Sequence, residues 1–177
     1  MLASAAGSLA PTGRVAVALL FQAADEMQRV HRLAFRLAQV RIAAPGLGDD
    51  ARHRWETDAA WQPLRALIER MLVTFDWQES FAALNLAFKP AWEEQIFRRC
   101  ADAAHGLGDE RLAALLGCLG EDSRWHADWS AAAIAALWPA PQDGRLEEAA
   151  ARWRPAVRDA LAPLDAALAE VAGQAGR

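Results

Sequence analysis

The chain has 177 residues, of which 54% are hydrophobic and 24% charged, and its formal net charge is −4. This length suits one domain with a sizeable core, and the ordinary content of charged residues argues against wholesale disorder. The mildly acidic balance argues against a nucleic-acid scaffold, which is usually basic. Among the 19 basic residues, Lys89 is the single lysine. Alanine and arginine, both strong helix formers, are abundant, so a β-rich fold is nearly excluded.

The sequence contains no stretch of about 18 consecutive apolar residues, so no membrane-spanning segment is predicted. The apolar start, residues 1–20, has no basic region before its apolar run and contains Pro11. These features do not match a secretory signal. The sequence therefore predicts a cytoplasmic protein.

The first predicted elements are two helices joined by a polar loop. One long helix spans 12–42, with Thr12 able to cap its first turn and apolar residues at steps of three and four. A loop over 46–54 follows. The second helix opens near Trp61, where Asp58 is an available cap.

A third predicted helix spans 77–105. Asp76 resembles its cap, with Glu79 at the spacing of a capping box. Pro90 lies in the middle and is expected to kink the helix, because its ring clashes with the carbonyl of Leu86.

A fourth helix, capped by Asp109, is predicted to reach Trp138, and a last helical stretch over 144–172 is expected to be interrupted by two prolines. Long antiparallel helices with short connections describe an all-α helical bundle. The predicted division is a bundle domain over 1–138 and a C-terminal helical extension over 139–177. The prolines concerned are Pro139 and Pro141 at the end of the fourth helix, and Pro155 and Pro163 in the last stretch.

Three charged residues occupy positions where the helical patterns predict apolar side chains: Glu26, Asp122 and, less clearly, Lys89. A buried charge is costly unless it is paired or bound to a metal. These positions are therefore expected to have partners.

A carboxylate-bridged di-iron site is the obvious hypothesis for such a bundle, and the residue pattern fails it. Such sites need Glu-x-x-His on two helices. Here Glu26 is followed three residues later by Arg29, and Asp122 by Trp125. The sequence predicts instead a hydrogen bond between His126 and Asp122, four residues before it.

Four sequence runs are similar to one known family. The runs, in order, are Phe21–Arg36, Trp61–Arg65 with Ile68–Arg70, Asp76–Trp77 to Asn85–Pro90, and Glu121–His126. Through these runs the chain resembles, from Leu9 to Trp138, the β subunit of bacterial multicomponent monooxygenase hydroxylases, which include the toluene, phenol and alkene di-iron enzymes.

This resemblance implies a ferritin-like helical subunit that is not itself catalytic. In the family, the α subunit holds the di-iron centre, activates O₂ and hydroxylates an aromatic or small hydrocarbon with electrons derived from NADH. The β subunit pairs with α, and γ subunits complete a dimer of heterotrimers. The resemblance thus implies α and γ partners, no metal or cofactor in this chain, and no nucleic acid or membrane.

Matching residue by residue, the resemblance implies degenerate former ligand positions. Glu26 keeps a carboxylate, Arg29 stands where a histidine would be, Lys89 replaces a glutamate, Asp122 is a shortened carboxylate and Trp125 replaces the second histidine. We hypothesise that Glu26, Asp122, Arg29 and Lys89 converge into a buried network of zero net charge. The alternative is that Lys89 pairs on the surface with the carboxylate four residues later.

The family's β subunits extend well before the point that matches Met1, so the resemblance implies a first helix that is largely missing. A fragment, a misassigned start and a truncated natural form are all open explanations. Two other functions also stay open: a free-standing helical interaction module, and a ferritin-like metal oxidase.

Overall fold

The computed structural model describes residues 1–137 and 144–175, with side chains as far as residue 173, and these residues form a helical bundle. The predicted all-α class is confirmed. Trp138, Pro139 and Pro141, the predicted end of the fourth helix, lie outside the described residues. The helices are α1 (Leu2–Ser8), α2 (Gly13–Arg41), α3 (Ala51–Thr57), α4 (Gln62–Leu72), α5 (Trp77 to Gly106), α6 (Glu110–Leu137) and α7 (Arg145–Ala175).

Side-chain caps begin three of these helices, as the sequence predicts. Thr12 accepts a hydrogen bond from the N–H of Val15 at the start of α2. Asp76 caps α5 and Asp109 caps α6, each accepting from a backbone N–H three residues later at 2.8 and 3.0 Å. Each cap satisfies one donor that the first turn of a helix leaves without a partner.

Helix α5 is continuous but changes its winding on both sides of Pro90. The consecutive segments are α-helical Trp77–Phe81, π-helical Ala82–Phe88, α-helical Lys89–Trp92, π-helical Glu93–Phe97 and α-helical Arg98–Gly106. Because a π-helix bonds to the fifth residue along, its wider turn separates the proline ring from the carbonyl it would otherwise meet. The distortion expected at Pro90 is thus distributed over two π segments.

Two other elements differ from the sequence-based expectation. The short helix α3 occupies part of the predicted loop, where the ion pairs Arg52–Glu56 and Arg54–Asp50 link residues four apart. Helix α7 runs without a break through Pro155 and Pro163. Tertiary packing compensates for the two prolines, because α7 buries Trp153 and other apolar side chains at helical spacing.

One apolar cluster joins α1, α2, α4, α5 and α7. Its fully buried members include Leu19 of α2 and Leu161 of α7, with Leu64 and Leu67 of α4 almost as inaccessible. The last helix therefore shares its core with the helices that precede it. Among the described helices, none has a segment long and apolar enough to cross a bilayer.

Replacing Leu161 with alanine tests this shared core. The truncation removes buried methyl groups and leaves a cavity, so we expect a loss of about 2–5 kcal/mol in the free energy of unfolding. Denaturant titration followed by circular dichroism measures it. Phe75→Ala, at an exposed position, is the control and should change stability by less than about 0.5 kcal/mol. Equal effects of the two variants would contradict the shared core.

Candidate functional site: a buried ion-pair cluster

Two positively charged side chains lie in the interior between α2 and α5. Arg29 of α2 is 3% exposed and Lys89 of α5 is 8% exposed. A buried cation without a partner would cost several kcal/mol. Their surroundings therefore decide whether this part of the fold is stable.

Two carboxylates neutralise these cations. Lys89 Nζ donates a hydrogen bond to Glu26 Oε1. Arg29 Nη1 lies 3.5 Å from Glu26 Oε2 and donates to Glu93 Oε1 at 2.7 Å. We call Glu26, Arg29, Lys89 and Glu93 the charged cluster, and its formal charges sum to zero.

Helix α6 provides further hydrogen-bond acceptors for Arg29. Arg29 Nη2 donates to the carbonyl oxygen of Leu119 at 2.9 Å and to Ser123 Oγ. The guanidinium carbon lies 5.5 Å from the centre of the Phe97 ring, a cation–π distance. One side chain thus ties α2, α5 and α6 together, and the planar fork of arginine suits this multiple bonding.

His126 of α6 lies beside the charged cluster. Its Nε2 is 3.0 Å from Asp25 Oδ2, and its Nδ1 is 3.9 Å from Glu26 Oε1. The predicted contact with Asp122 is wrong. Burial lowers the pKa of His126, with help from the nearby Lys89 charge, and together these outweigh the opposing effect of the Asp25 hydrogen bond.

Glu26 experiences opposing influences on its ionisation. Burial raises its pKa, but the charges of Lys89 and Arg29 and the Lys89 hydrogen bond outweigh burial. The pKa of Glu26 is therefore held below its ordinary value. The carboxylate is consequently ionised at neutral pH, as the neutrality of the charged cluster requires.

The predicted convergence holds for Glu26, Arg29 and Lys89 and fails for Asp122. The Asp122 carboxylate lies 3.8 Å from Arg32 Nη1, a guanidinium outside the charged cluster. Glu93, bonded to Arg29, is the second carboxylate instead. Because Lys89 is buried and donates to Glu26, the alternative of a surface pair between Lys89 and Glu93 is also wrong.

The rotation of α6 explains why Asp122 is excluded. The buried face of α6 carries Leu119, His126 and Ser130. At 100° per residue, Asp122 is turned about 60° from Leu119 and Trp125 about 120°. Trp125 is accordingly 47% exposed and meets the His126 ring edge-on, with centroids 5.6 Å apart.

A second polar contact lies one helical turn from the Lys89–Glu26 pair. Gln22 Nε2 donates to Asn85 Oδ1 at 2.9 Å, and both residues are buried. Gln22 precedes Glu26 by four residues and Asn85 precedes Lys89 by four, so the two contacts are successive rungs between α2 and α5. This i, i+4 series of polar residues is a signal that the sequence carries for the α2–α5 contact.

The donor set at this place does not fit a di-iron centre. Arginine and lysine are not iron ligands, and these two cations already form ion pairs with the carboxylates of Glu26 and Glu93. Over the described ranges, 1–137 and 144–175, no group of three or more His, Cys, Asp or Glu could hold a metal ion. That the five predicted residues are former ligand positions stays a prediction.

Lys89→Ala tests the charged cluster. The variant leaves Glu26 without its main partner in a partly buried site. We expect a loss of about 2–3 kcal/mol, below the roughly 3–5 kcal/mol of a fully buried pair, because Glu26 is about a third exposed. Thermal and denaturant unfolding measure it. Arg65→Ala, which removes a surface pair with Glu69, is the control. A Lys89 variant no weaker than this control would contradict the role of the cluster.

Acidification tests the environment of His126. Because its pKa is lowered on folding, the unfolded chain binds the extra proton first, and stability falls as pH drops below about 6.5. Glu26, whose pKa is also lowered, adds to this loss only as pH falls below its ordinary value. We expect a His126→Gln variant to lose stability less steeply between about pH 6.5 and 5, by up to ~1.4 kcal/mol per pH unit. His53→Gln, at an exposed position, should keep the wild-type slope. If the stability of the wild type and of both variants fell equally steeply with falling pH, the lowered pKa of His126 would be refuted.

Comparisons with known proteins match this chain to a family and to a relative. Residues 1–140 match the family model described as Methane/Phenol/Alkene Hydroxylase. The chain is 32% identical over 150 residues to the "Toluene-4-monooxygenase system, hydroxylase component subunit beta" of Ectopseudomonas mendocina, a match that covers 83% of this chain and 46% of that protein.

A solved structure supports the same assignment. It is described as toluene bound in the resting active site of toluene 4-monooxygenase, and it matches with a TM-score of 0.89 and 28% identity. The match covers 95% of this chain and 57% of that chain, so this chain spans about half the length of these relatives. The predicted ferritin-like bundle and the resemblance to β subunits are confirmed. The chain belongs to the methane/phenol/alkene hydroxylase family.

Proposed function

We propose that the chain is a non-catalytic, structural β subunit of a soluble di-iron hydroxylase complex. Its partner would be an α subunit that carries the iron and hydroxylates aromatic or small hydrocarbons with O₂ and NADH-derived electrons. The relative in Ectopseudomonas mendocina is named as a hydroxylase subunit β of a toluene monooxygenase system. We extend that role to this chain, with α and γ partners in a dimer of heterotrimers.

The observation that carries the non-catalytic role is the charged cluster. Arg29 and Lys89 lie inside the bundle, where a di-iron enzyme of this architecture needs ligands. Their partners are carboxylates that would otherwise be available to a metal. The bundle is thus stabilised by ion pairs, and its interior offers no open coordination position among these four residues.

The exposed apolar face of α2 is the second argument for a partner subunit. Apolar residues recur there at helical spacing, and each is at least half exposed; they are Val17, Leu20, Phe21, Met27 and Phe35. The opposite face of the same helix supplies the core residues Val15 and Leu19. A helix that is apolar on both faces is typical of a helix buried between two bodies. We call the five exposed residues the outer face of α2.

Coexpression with a catalytic α subunit of the family tests the proposal. We expect the chain to copurify with it, and iron analysis to find the metal in the complex but not in the chain purified alone. Stoichiometric iron in the isolated chain would favour a metal oxidase. Failure to copurify, with the chain folded by circular dichroism, would favour a free-standing interaction module.

Phe21→Glu tests the outer face of α2 as the contact surface. Because Phe21 is 60% exposed, the variant should change the free energy of unfolding by less than about 0.5 kcal/mol. A charge within an apolar interface should nevertheless weaken copurification at least tenfold. Phe75→Glu, on another exposed surface, is the matched control and should copurify normally. Full retention of the partner by Phe21→Glu would rule out this face.

A further inference from the structure

The exposed side of α2 carries a regular series of residues that extends its apolar outer face. Five further exposed residues lie among those of the outer face of α2; they are Ala24, Gln28, His31, Ala34 and Ala38. We call the ten residues together the extended face of α2. Seven of them follow one another at alternating steps of three and four, which is the spacing of a helix that packs lengthwise against another helix. The series is Val17, Leu20, Ala24, Met27, His31, Ala34 and Ala38.

The extended face of α2 is large and contains no Asp, Glu, Lys or Arg, although 24% of the chain is charged. It runs about 30 Å along the helix. Its five large apolar side chains are each at least half exposed. The exposed area is therefore on the order of the 800 Å² that each partner contributes to a stable interface. An uncharged surface of this size is typical of a protein–protein contact.

The order of the residues makes this face complementary to itself when the helix is reversed. Phe21 and Phe35 lie seven residues before and seven residues after Gln28. If a two-fold axis passes beside Gln28, an antiparallel second copy places its Phe35 opposite Phe21, and its Phe21 opposite Phe35. The two Gln28 side chains then meet at the axis, where each amide can donate to the other. One helix thus supplies both halves of such a contact.

The charges that border the extended face select the same antiparallel order. Asp25 and Arg32 both lie on the side of α6, and their directions around the helix differ by only about 20°. Asp25 contacts His126 and Arg32 lies 3.8 Å from Asp122, but the two side chains keep 35% and 39% of their surface exposed. They lie three residues before and four after the position of the axis, so the antiparallel pair places Asp25 of each copy near Arg32 of the other. A parallel pair would bring like charges together, which is unfavourable.

We propose that two copies of this chain pair through the extended face of α2, antiparallel about a two-fold axis beside Gln28. The pair covers the apolar residues of both copies and adds two ion pairs between Asp25 and Arg32 at its border. The antiparallel order also places the positive end of each helix dipole beside the negative end of the other. The inference does not rest on the proposed function, because it concerns the chain without an α subunit. An α subunit that covers the outer face of α2 would compete with the second copy.

Sedimentation equilibrium of the full chain, from about 1 μM to 1 mM, tests the pair. We expect a reversible change from the monomer mass of 19.3 kDa to twice that mass. Leu20→Glu, at a position that is 64% exposed, places a charge in the contact and should raise the dissociation constant at least tenfold, with circular dichroism unchanged. Phe75→Glu is the matched control and should dimerise as the wild type does. A monomer at every concentration, or equal dissociation constants for Leu20→Glu and the wild type, would overturn the proposal.

Disulfide cross-linking tests the antiparallel order. A Cys118→Ser background removes the exposed native thiol. In this background Gln28→Cys should cross-link on oxidation, because the axis brings the two substituted positions together. Val17→Cys is the matched control and should stay unlinked, since its two copies would lie about 30 Å apart along the paired helices. A parallel pair would cross-link both variants. Cross-linking of Val17→Cys, or none of Gln28→Cys in the dimer, would contradict the antiparallel pair.

Discussion

The burial of Arg29 and Lys89 is the constraint on which the arrangement of α2, α5 and α6 depends. Both side chains are nearly inaccessible to water, and such charges are tolerated only when opposite charges and hydrogen-bond acceptors meet them closely. Glu26, Glu93 and the carbonyl oxygen of Leu119 do so. A slip of any of the three helices by one turn would separate at least one of these contacts. The charged cluster therefore favours one register of the bundle.

The two π segments of α5 lie on either side of the contact between Lys89 and Glu26. They surround Lys89–Trp92, the segment that contains both Lys89 and Pro90. Each π segment shifts the register of the helix face, and Asn85, Lys89 and Glu93 all make their polar contacts with α2. The cluster is bordered on one side by aromatic side chains, among them Trp92 and Phe97, and on another by the contact between His126 and Asp25. The polar residues thus form a layer within a largely apolar bundle.

Much of the fold follows from local sequence signals. The caps Thr12, Asp76 and Asp109 and the apolar periodicity place α2, α5 and α6 correctly, because these signals act within a few residues. The continuity of α7 through Pro155 and Pro163 could not be predicted in this way, since it depends on the burial of Trp153 and Leu161 against other helices. The short helix α3 lies in a stretch that composition indicates as a polar loop, although its pairs Asp50–Arg54 and Arg52–Glu56, four residues apart, are a local signal.

The candidate site was predictable in part. Glu26 and Lys89 interrupt apolar patterns, so their need for partners was visible, and Arg29 was added by the family resemblance. Asp122 was assigned to the same network because its spacing from Leu119 suits a helix face. The actual rotation of α6 is set by packing in three dimensions, and it buries His126 more deeply than Asp122. The contact of Asp25 with His126 and that of Glu93 with Arg29 could not be predicted, because periodicity does not distinguish an inward carboxylate from a solvated one.

A double-mutant cycle on Lys89→Met and Glu26→Gln tests the central claim most directly, because both replacements remove charge while keeping much of the side-chain volume. The free energies of unfolding of the wild type, both single variants and the double variant give the coupling between the two residues. If the buried pair stabilises this register, the double variant should be more stable than the sum of the single losses predicts, by about 1–3 kcal/mol. Additive losses, within about 0.5 kcal/mol, would contradict the account.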